Sequence, residues 1–181
     1  MNIRHIVRFL AVTLLLSACS SEPTVTQIPD TTIDVVMGSV SGEQISYTIN
    51  YDTAKWIATP TAAGEDAEYE FEHVDGDVFA LVIPERIELD LADLRKIALE
   101  NAQSISEDAQ ITFEEDRTVN DVQVHVMKIG GTLYGIAFEY YGYYYGGPAG
   151  TVQFITYTSS NLNSLYADDL TELLNGLTIT E

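Results

Sequence analysis

Residues 90–105 read DLADLRKIALENAQSI, and the rest of the fold follows from what this stretch must be. Leu91, Leu94, Ile97, Ala98, Ala102 and Ile105 recur at helical spacing and line one face, while Arg95, Lys96, Glu100 and Gln103 fall on the other. Asp90 is a candidate N-cap, and Asp93 in the first turn suits the positive end of the helix dipole. The spacing predicts a helix over 89–105. Its apolar face needs a surface to cover, and the flanking residues alternate as strands do, so that surface is a sheet.

On the N-terminal side, Ile33, Val35 and Val36, then Ile45, Tyr47 and Ile49, flank Gly38-Ser39-Val40-Ser41-Gly42, which reads as a turn between two strands. A second turn, Tyr51 to Trp56, leads into the only tryptophan, whose size makes it a core anchor. Tyr69, Phe71 and His73 alternate with Glu68, Glu70 and Glu72; Asp75-Gly76-Asp77 turns the chain into a buried strand, Val78 to Ile83, that Pro84 is expected to end. On the C-terminal side, strands are expected at Gln110 to Arg117 and Val122 to Ile129, around Asn120-Asp121, with a turn at Gly130-Gly131. Leu133 to Tyr145 and Thr151 to Tyr157 read as a long hairpin joined by Gly146 to Gly150. A closing helix, Leu162 to Asn175, presents Leu165, Leu170, Leu173 and Leu174; Gly176 fits its C′ position and Leu177 to Ile179 a short strand. Strands joined by short turns are antiparallel, so the class is α+β: an antiparallel sheet flanked by two main helices in α/β/α layers.

Trp56 after the opening hairpin, the helix at 90–105, the strand-turn-strand FEEDRTVNDVQVHVM (Phe113 to Met127), the long hairpin and the closing DLTELLNGLTI (Asp169 to Ile179) together resemble the PsbP-like domain. That domain is shared by the extrinsic photosystem II protein, the yeast Ran-binding Mog protein and bacterial lipoproteins of the DcrB and LpqN type. The resemblance covers Ile33 to Ile179 and consists of pattern and order. It implies a non-catalytic binding or assembly factor, and it carries no functional residue onto this chain.

The N-terminus adds an address. Arg4, His5 and Arg8 form a positive segment, Phe9 to Leu16 an apolar one, and Leu16-Ser17-Ala18-Cys19 matches a lipobox ending in the chain's one cysteine. The match implies cleavage between Ala18 and Cys19 and acylation of the Cys19 thiol; two or three acyl chains hold a protein on a membrane where one holds it only marginally. An ordinary secretory cut after Ala18 would place bulky Leu16 where a small residue is wanted, and the apolar run is too short to span a bilayer. Residues 1–18 are therefore expected to be a signal peptide, 19–30 a lipidated linker with Pro23 and Pro29, and 31–181 one domain. Extended, that linker reaches on the order of 35 Å. Ser20 and Ser21 after the cysteine resemble lipoproteins sorted to the outer membrane, with the inner membrane and the cell surface as alternatives.

Charge narrows the partners. The 181 residues carry 28 acidic against 8 basic side chains, a net charge of −20, and every acidic residue follows Cys19. A field of that sign opposes nucleic acid and anionic headgroups and suits a surface that works in salt. One cysteine leaves no disulfide and no Cys-based zinc. His73 and His125, the only histidines after Cys19, lack the spacing of a metal motif; Asp75-Gly76-Asp77 and Glu114-Glu115-Asp116 lack the loop of a calcium site. Gly38 to Gly42 fails as a nucleophile elbow because Val40 holds the central position. No catalytic residue, metal ligand or cofactor motif emerges.

The most distinctive chemistry is the tyrosine run of the long hairpin. Alternation sends Tyr141, Tyr143 and Tyr145 to one face and Tyr140 and Tyr144 to the other, so one core cannot absorb them all. Tyrosine suits protein interfaces and sugar stacking, which makes Tyr141, Tyr143, Tyr144 and Tyr145 candidate contacts for another envelope protein or a glycan. The competing expectation is cross-strand tyrosine pairing that only stabilises the sheet. The functional expectation is a non-enzymatic binding or assembly module held in the cell envelope by lipidated Cys19. An envelope hydrolase and a periplasmic cation-binding protein are the alternatives.

Overall fold

The computed structural model describes residues 35–180 apart from Gly64; Ala18, Cys19 and the linker to residue 30 lie outside the described residues. In chain order the elements are β1 (Met37–Ser41), β2 (Tyr47–Asp52), β3 (Trp56–Pro60), β4 (Tyr69–His73), β5 (Phe79–Glu85), α1 (Leu91–Ile105), β6 (Gln110–Val119), β7 (Val122–Leu133), β8 (Ile136–Gly147), β9 (Gly150–Ser159), α2 (Asn163–Asn175) and β10 (Leu177–Ile179). They form two antiparallel sheets. Seven strands run in the order β3-β4-β5-β9-β8-β7-β6, and β2 sits between β1 and β10 in a three-stranded sheet. The α+β class and the two covering helices agree with the pattern of the sequence, but its first two strands leave the main sheet to pair with the last.

Two cores result, one on each face of the large sheet. Tyr143 and Phe154 on that sheet meet Leu170, Leu173 and Leu174 of α2 and Ile49 and Leu177 of the small sheet. On the opposite face Ala98 and Ala102 of α1 pack over Met127, Ile129 and Tyr144. Trp56 is 2% exposed and meets the His73 ring edge-on at 5.1 Å, the anchor its size predicts. At the head of α1, Asp90 accepts the Asp93 backbone N–H at 2.8 Å, the expected cap.

Several expectations at glycine and proline need correction. Gly38 to Gly42 is not a turn: residues 37–41 are β1, with Gly38 opposite Tyr51. A Cβ on Gly38 would lie 2.6 Å from the Tyr51 ring, so the glycine makes room for an aromatic side chain. Pro84 does not end β5 but pairs with Val152; at that point β5 has only β9 for a neighbour, where a residue without an N–H is tolerated. Gly130 and Gly131 continue β7 to Leu133, and the turn falls at Tyr134-Gly135. Pairing of the long hairpin runs up to Gly147 opposite Gly150, leaving Pro148-Ala149 as a two-residue connection. Gly176 follows α2 with φ of −70°, not in the left-handed region; its carbonyl accepts the Asn50 N–H, and a Cβ there would sit 1.9 Å from the Asn50 carbonyl oxygen. In α2 the buried face is Tyr166, Leu170, Leu173 and Leu174, which turns Leu165 out to water.

Candidate functional site

The tyrosine hairpin was the candidate contact surface, and the structure buries it. Tyr141, Tyr143, Tyr144 and Tyr145 are 8%, 0%, 1% and 4% exposed. The tyrosines alternate between the two faces, and each face has its own cover: α2 and the small sheet lie over Tyr141, Tyr143 and Tyr145, and α1 over Tyr144. The Tyr143 hydroxyl accepts from Arg117 Nη1 at 2.7 Å and donates to Asn175 Oδ1 at 2.8 Å, which ties β8 to β6 and α2. Lys128 Nζ lies 5.0 Å from the centre of the Tyr141 ring and 2.9 Å from Glu139. Burial pushes the Tyr143 and Tyr144 phenols above their ordinary range. These are structural tyrosines in an aromatic core.

Both histidines face carboxylates, and the second acidic run is paired with arginines. His125 Nδ1 sits 2.7 Å from Asp116 Oδ1, and its Nε2 is 3.6 Å from Glu114, which pairs with Arg95 of α1 at 2.6 Å. That Arg95 contact holds the Glu114 carboxyl below the usual carboxylate range. Glu115 pairs with Arg117. His73, packed between the rings of Trp56 and Tyr166, has Nε2 3.5 Å from Asp169 Oδ2, and its Nδ1 accepts the Asp75 N–H. Neither imidazole is hydrogen-bonded to a serine, threonine or cysteine among the described residues. No cluster of three or more metal-ligating side chains occurs among them either.

Two of the concavities among the described residues lie against the helices and bear on binding. One, of about 590 Å³, lies between α2 and the small sheet and is of mixed character, with Asn50, Asp52, Asp168 and Glu172 beside Trp56 and Leu173 in its wall. The other, of about 220 Å³, is apolar. It runs along α1 and is walled by Leu81 and Ile83 of β5, Ile155 and Tyr157 of β9, Tyr140 and Tyr144 of β8, and Ala98, Ala102 and Ile105 of the helix. Its origin is simple. Helix α1 packs mainly on β6, β7 and β8 and leaves Leu81, Ile83, Ile155 and Tyr157 of β5 and β9 only half-buried on that face. The small Ala98 and Ala102 also bring no bulk to fill the gap. Not one residue lining this groove is charged. Phe79 stacks on Tyr157 at 5.5 Å and Tyr140 meets Tyr157 edge-on at 6.2 Å, extending the wall as an aromatic strip. Burial raises the Tyr140 and Tyr157 phenols, so the wall stays neutral. Of this wall, sequence reasoning singled out only the tyrosines, Tyr144 among them as a candidate contact, and not the aliphatic residues of β5, β9 and α1. The signal was present in Phe79-Ala80-Leu81-Val82-Ile83 and Phe154-Ile155, apolar on both strand faces beside a helix whose buried stripe after Leu94 is alanine.

The arrangement of seven strands, α1 on one face and α2 with the small sheet on the other, matches solved structures over most of the chain. The cyanobacterial PsbP of Synechocystis sp. PCC 6803 aligns over 86% of this chain and 99% of its own, with a TM-score of 0.61 at 11% identity. The domain has the PsbP-like fold. LpqN of Mycobacterium tuberculosis, described as involved in cell envelope biogenesis, aligns over 82% of this chain and 92% of its own, with a TM-score of 0.54 at 10% identity. No family model and no curated protein sequence matches the chain. The likeness is one of PsbP-like architecture, and residue roles must come from the groove itself. Among the described residues no helix is long and apolar enough to cross a membrane.

Proposed function

We propose that this protein is a cell-envelope lipoprotein, held to its membrane through acylated Cys19, whose PsbP-like domain is a non-enzymatic binding module. Its contact site is the groove along α1, which receives an apolar group of an envelope partner. The observation that carries this reading is the uncharged wall of that groove on a chain with 28 acidic residues, where an exposed apolar concavity costs solubility unless something occupies it. The lipobox supports the anchor, and the envelope role of LpqN, a protein of the same architecture, is consistent with the setting. Among the described residues neither imidazole is hydrogen-bonded to a serine, threonine or cysteine, which favours the module over a hydrolase.

Photo-crosslinking in intact cells tests the site. A benzoylphenylalanine at Tyr157, in the groove wall, is expected to give a discrete product, and the same residue at Leu165, 70% exposed on α2, none. Equal products from both positions, or none from 157, refutes the groove. For the anchor, Cys19→Ser is expected to move the protein out of the membrane fraction and abolish incorporation of labelled fatty acid. Retention of both refutes lipidation.

A further inference from the structure

The tip of the β7–β8 hairpin combines features that the binding groove does not account for. Pairing of β7 with β6 ends at Gly130, and pairing of β8 with β9 ends at Phe138. Beyond these ends the Ala137 carbonyl still accepts the Ser160 N–H and Thr132 is held by Ser106 and Asp108, so residues 133–136 form the projecting tip. From Ile129 to Phe138 the chain reads IGGTLYGIAF, ten residues without a charge in a protein of net charge −20. Leu133, Tyr134 and Ile136 are 37%, 96% and 62% exposed.

The turn itself is locally unfavourable. Tyr134 has φ of +51° and Gly135 of +82°, the pair of positive values that a two-residue hairpin turn demands and that asparagine or glycine supplies most easily. Tyrosine at the first of these positions is a poor local choice, and its ring makes no compensating contact, being almost wholly in water. A strained aromatic at an exposed tip is where function is sought before stability. The base of the tip is fixed. Ser106 Oγ donates to the Thr132 carbonyl at 2.8 Å, and Asp108 accepts the Thr132 N–H at 2.9 Å, so α1 and its following loop hold the hairpin in one pose.

We infer that this tip inserts at a lipid bilayer interface. Tyrosine flanked by leucine and isoleucine is the composition of the headgroup boundary, where an apolar ring is buried and its hydroxyl stays wet. The charge of the molecule selects the lipid: a chain of −20 is repelled by an anionic surface, and residues 133–136 dock on a zwitterionic one while Asp108 at their base stays at headgroup level. The inference uses the proposed Cys19 tether only to bring the domain to the surface. Insertion of one hairpin is too weak an anchor alone; it orients a domain that is already tethered.

The test is Tyr134→Trp in the chain beginning at Cys19, on phosphatidylcholine vesicles with brominated acyl chains. Two arms run in parallel: the natively acylated chain, and the unacylated chain coupled through its Cys19 thiol to a maleimide lipid. Leu165→Trp is the exposed control, and Trp56, 2% exposed, is the common background. The expected result is a blue shift and strong quenching at position 134, with neither at 165, in the coupled arm and wherever the native chain floats with vesicles. Water-like emission and no quenching at 134 in the coupled arm overturns the inference. Loss of flotation in the native arm alone counts against the Cys19 reading and leaves the coupled arm to decide on the tip. Restoring charge with Tyr134→Asp, which suits the turn and cannot enter lipid, is expected to abolish quenching of a tryptophan at Ile136; persistence of that quenching also overturns it.

Discussion

Replacing Gly176 with alanine isolates why a glycine stands after α2. Its φ of −70° is open to any L-residue, so on backbone grounds alone alanine would be favourable by about 0.4–1 kcal/mol through the unfolded chain. The structure reverses the sign. The new Cβ would fall 1.9 Å from the Asn50 carbonyl oxygen and 3.0 Å from its carbon, and a backbone carbonyl in the middle of β2 cannot swing aside as a side chain would. The α2–β10 junction must withdraw from β2, a forced shift of the kind that costs about 1–3 kcal/mol. It also stretches the 3.1 Å bond from the Asn50 N–H to the Gly176 carbonyl, about 0.5–1.5 kcal/mol more. A net loss of about 1–4 kcal/mol should lower the thermal midpoint by roughly 2–15 °C in a domain of this size. Differential scanning calorimetry of Gly176→Ala and Gly176→Asn reads it. Both should fall together, because the collision is with any Cβ. If asparagine is tolerated while alanine is not, the glycine serves a left-handed cap, and the close-approach argument is refuted; an unchanged midpoint in both refutes it as well.

Other expectations follow from the same geometry. Tyr143→Phe removes the hydroxyl shared by Arg117 and Asn175 and should cost about 1–3 kcal/mol in urea unfolding; Tyr144→Phe removes a hydroxyl that makes no hydrogen bond among the described residues and should cost under about 1 kcal/mol. Burial raises the phenols of Tyr143 and Tyr144, so the folded state keeps those protons when the unfolded chain has begun to release them. Stability is thus fully present below the ordinary tyrosine range and falls as pH rises through and beyond it; denaturant midpoints from pH 8 to pH 11, or about that span, should show the fall, less steep in Tyr144→Phe. Trp56→Ala, at a site 2% exposed, should cost about 3–5 kcal/mol by the same assay. With 28 acidic residues against 8 basic ones, the thermal midpoint should rise with added NaCl as like charges are screened, and a flat profile would count against the charge argument.

Much of the architecture was legible in the sequence because its signals are local. The helix over 91–105 carries its own cap and periodicity, and the strands around Asn120-Asp121 and along the tyrosine run alternate plainly. Misreadings gathered where a residue answers to a partner far away. Gly38 looks like a turn former until Tyr51 lies across it, and Gly176 looks like a cap until Asn50 is found against it. The site was harder still. Tyr141, Tyr143, Tyr144 and Tyr145 drew attention by composition, but which face a helix covers depends on where α2 docks, and no spacing encodes that. The groove exists because α1 stops short of β5 and β9, a property of placement between elements whose individual sequences are unremarked core strands.

The small sheet sets a timetable for the molecule. Its central strand, residues 47–52, has one neighbour at 37–41 and waits for the other until residues 177–179 are available, so the edge facing β10 stays open while everything between is made. A chain threading outward through a membrane pore, as the lipobox reading implies, could not lock into this shape part-way: the inner layer over Tyr143 and Phe154 closes only once the segment after α2 has emerged. Long-range closure of this kind slows assembly, because the loop entropy must be lost before the last contacts return it.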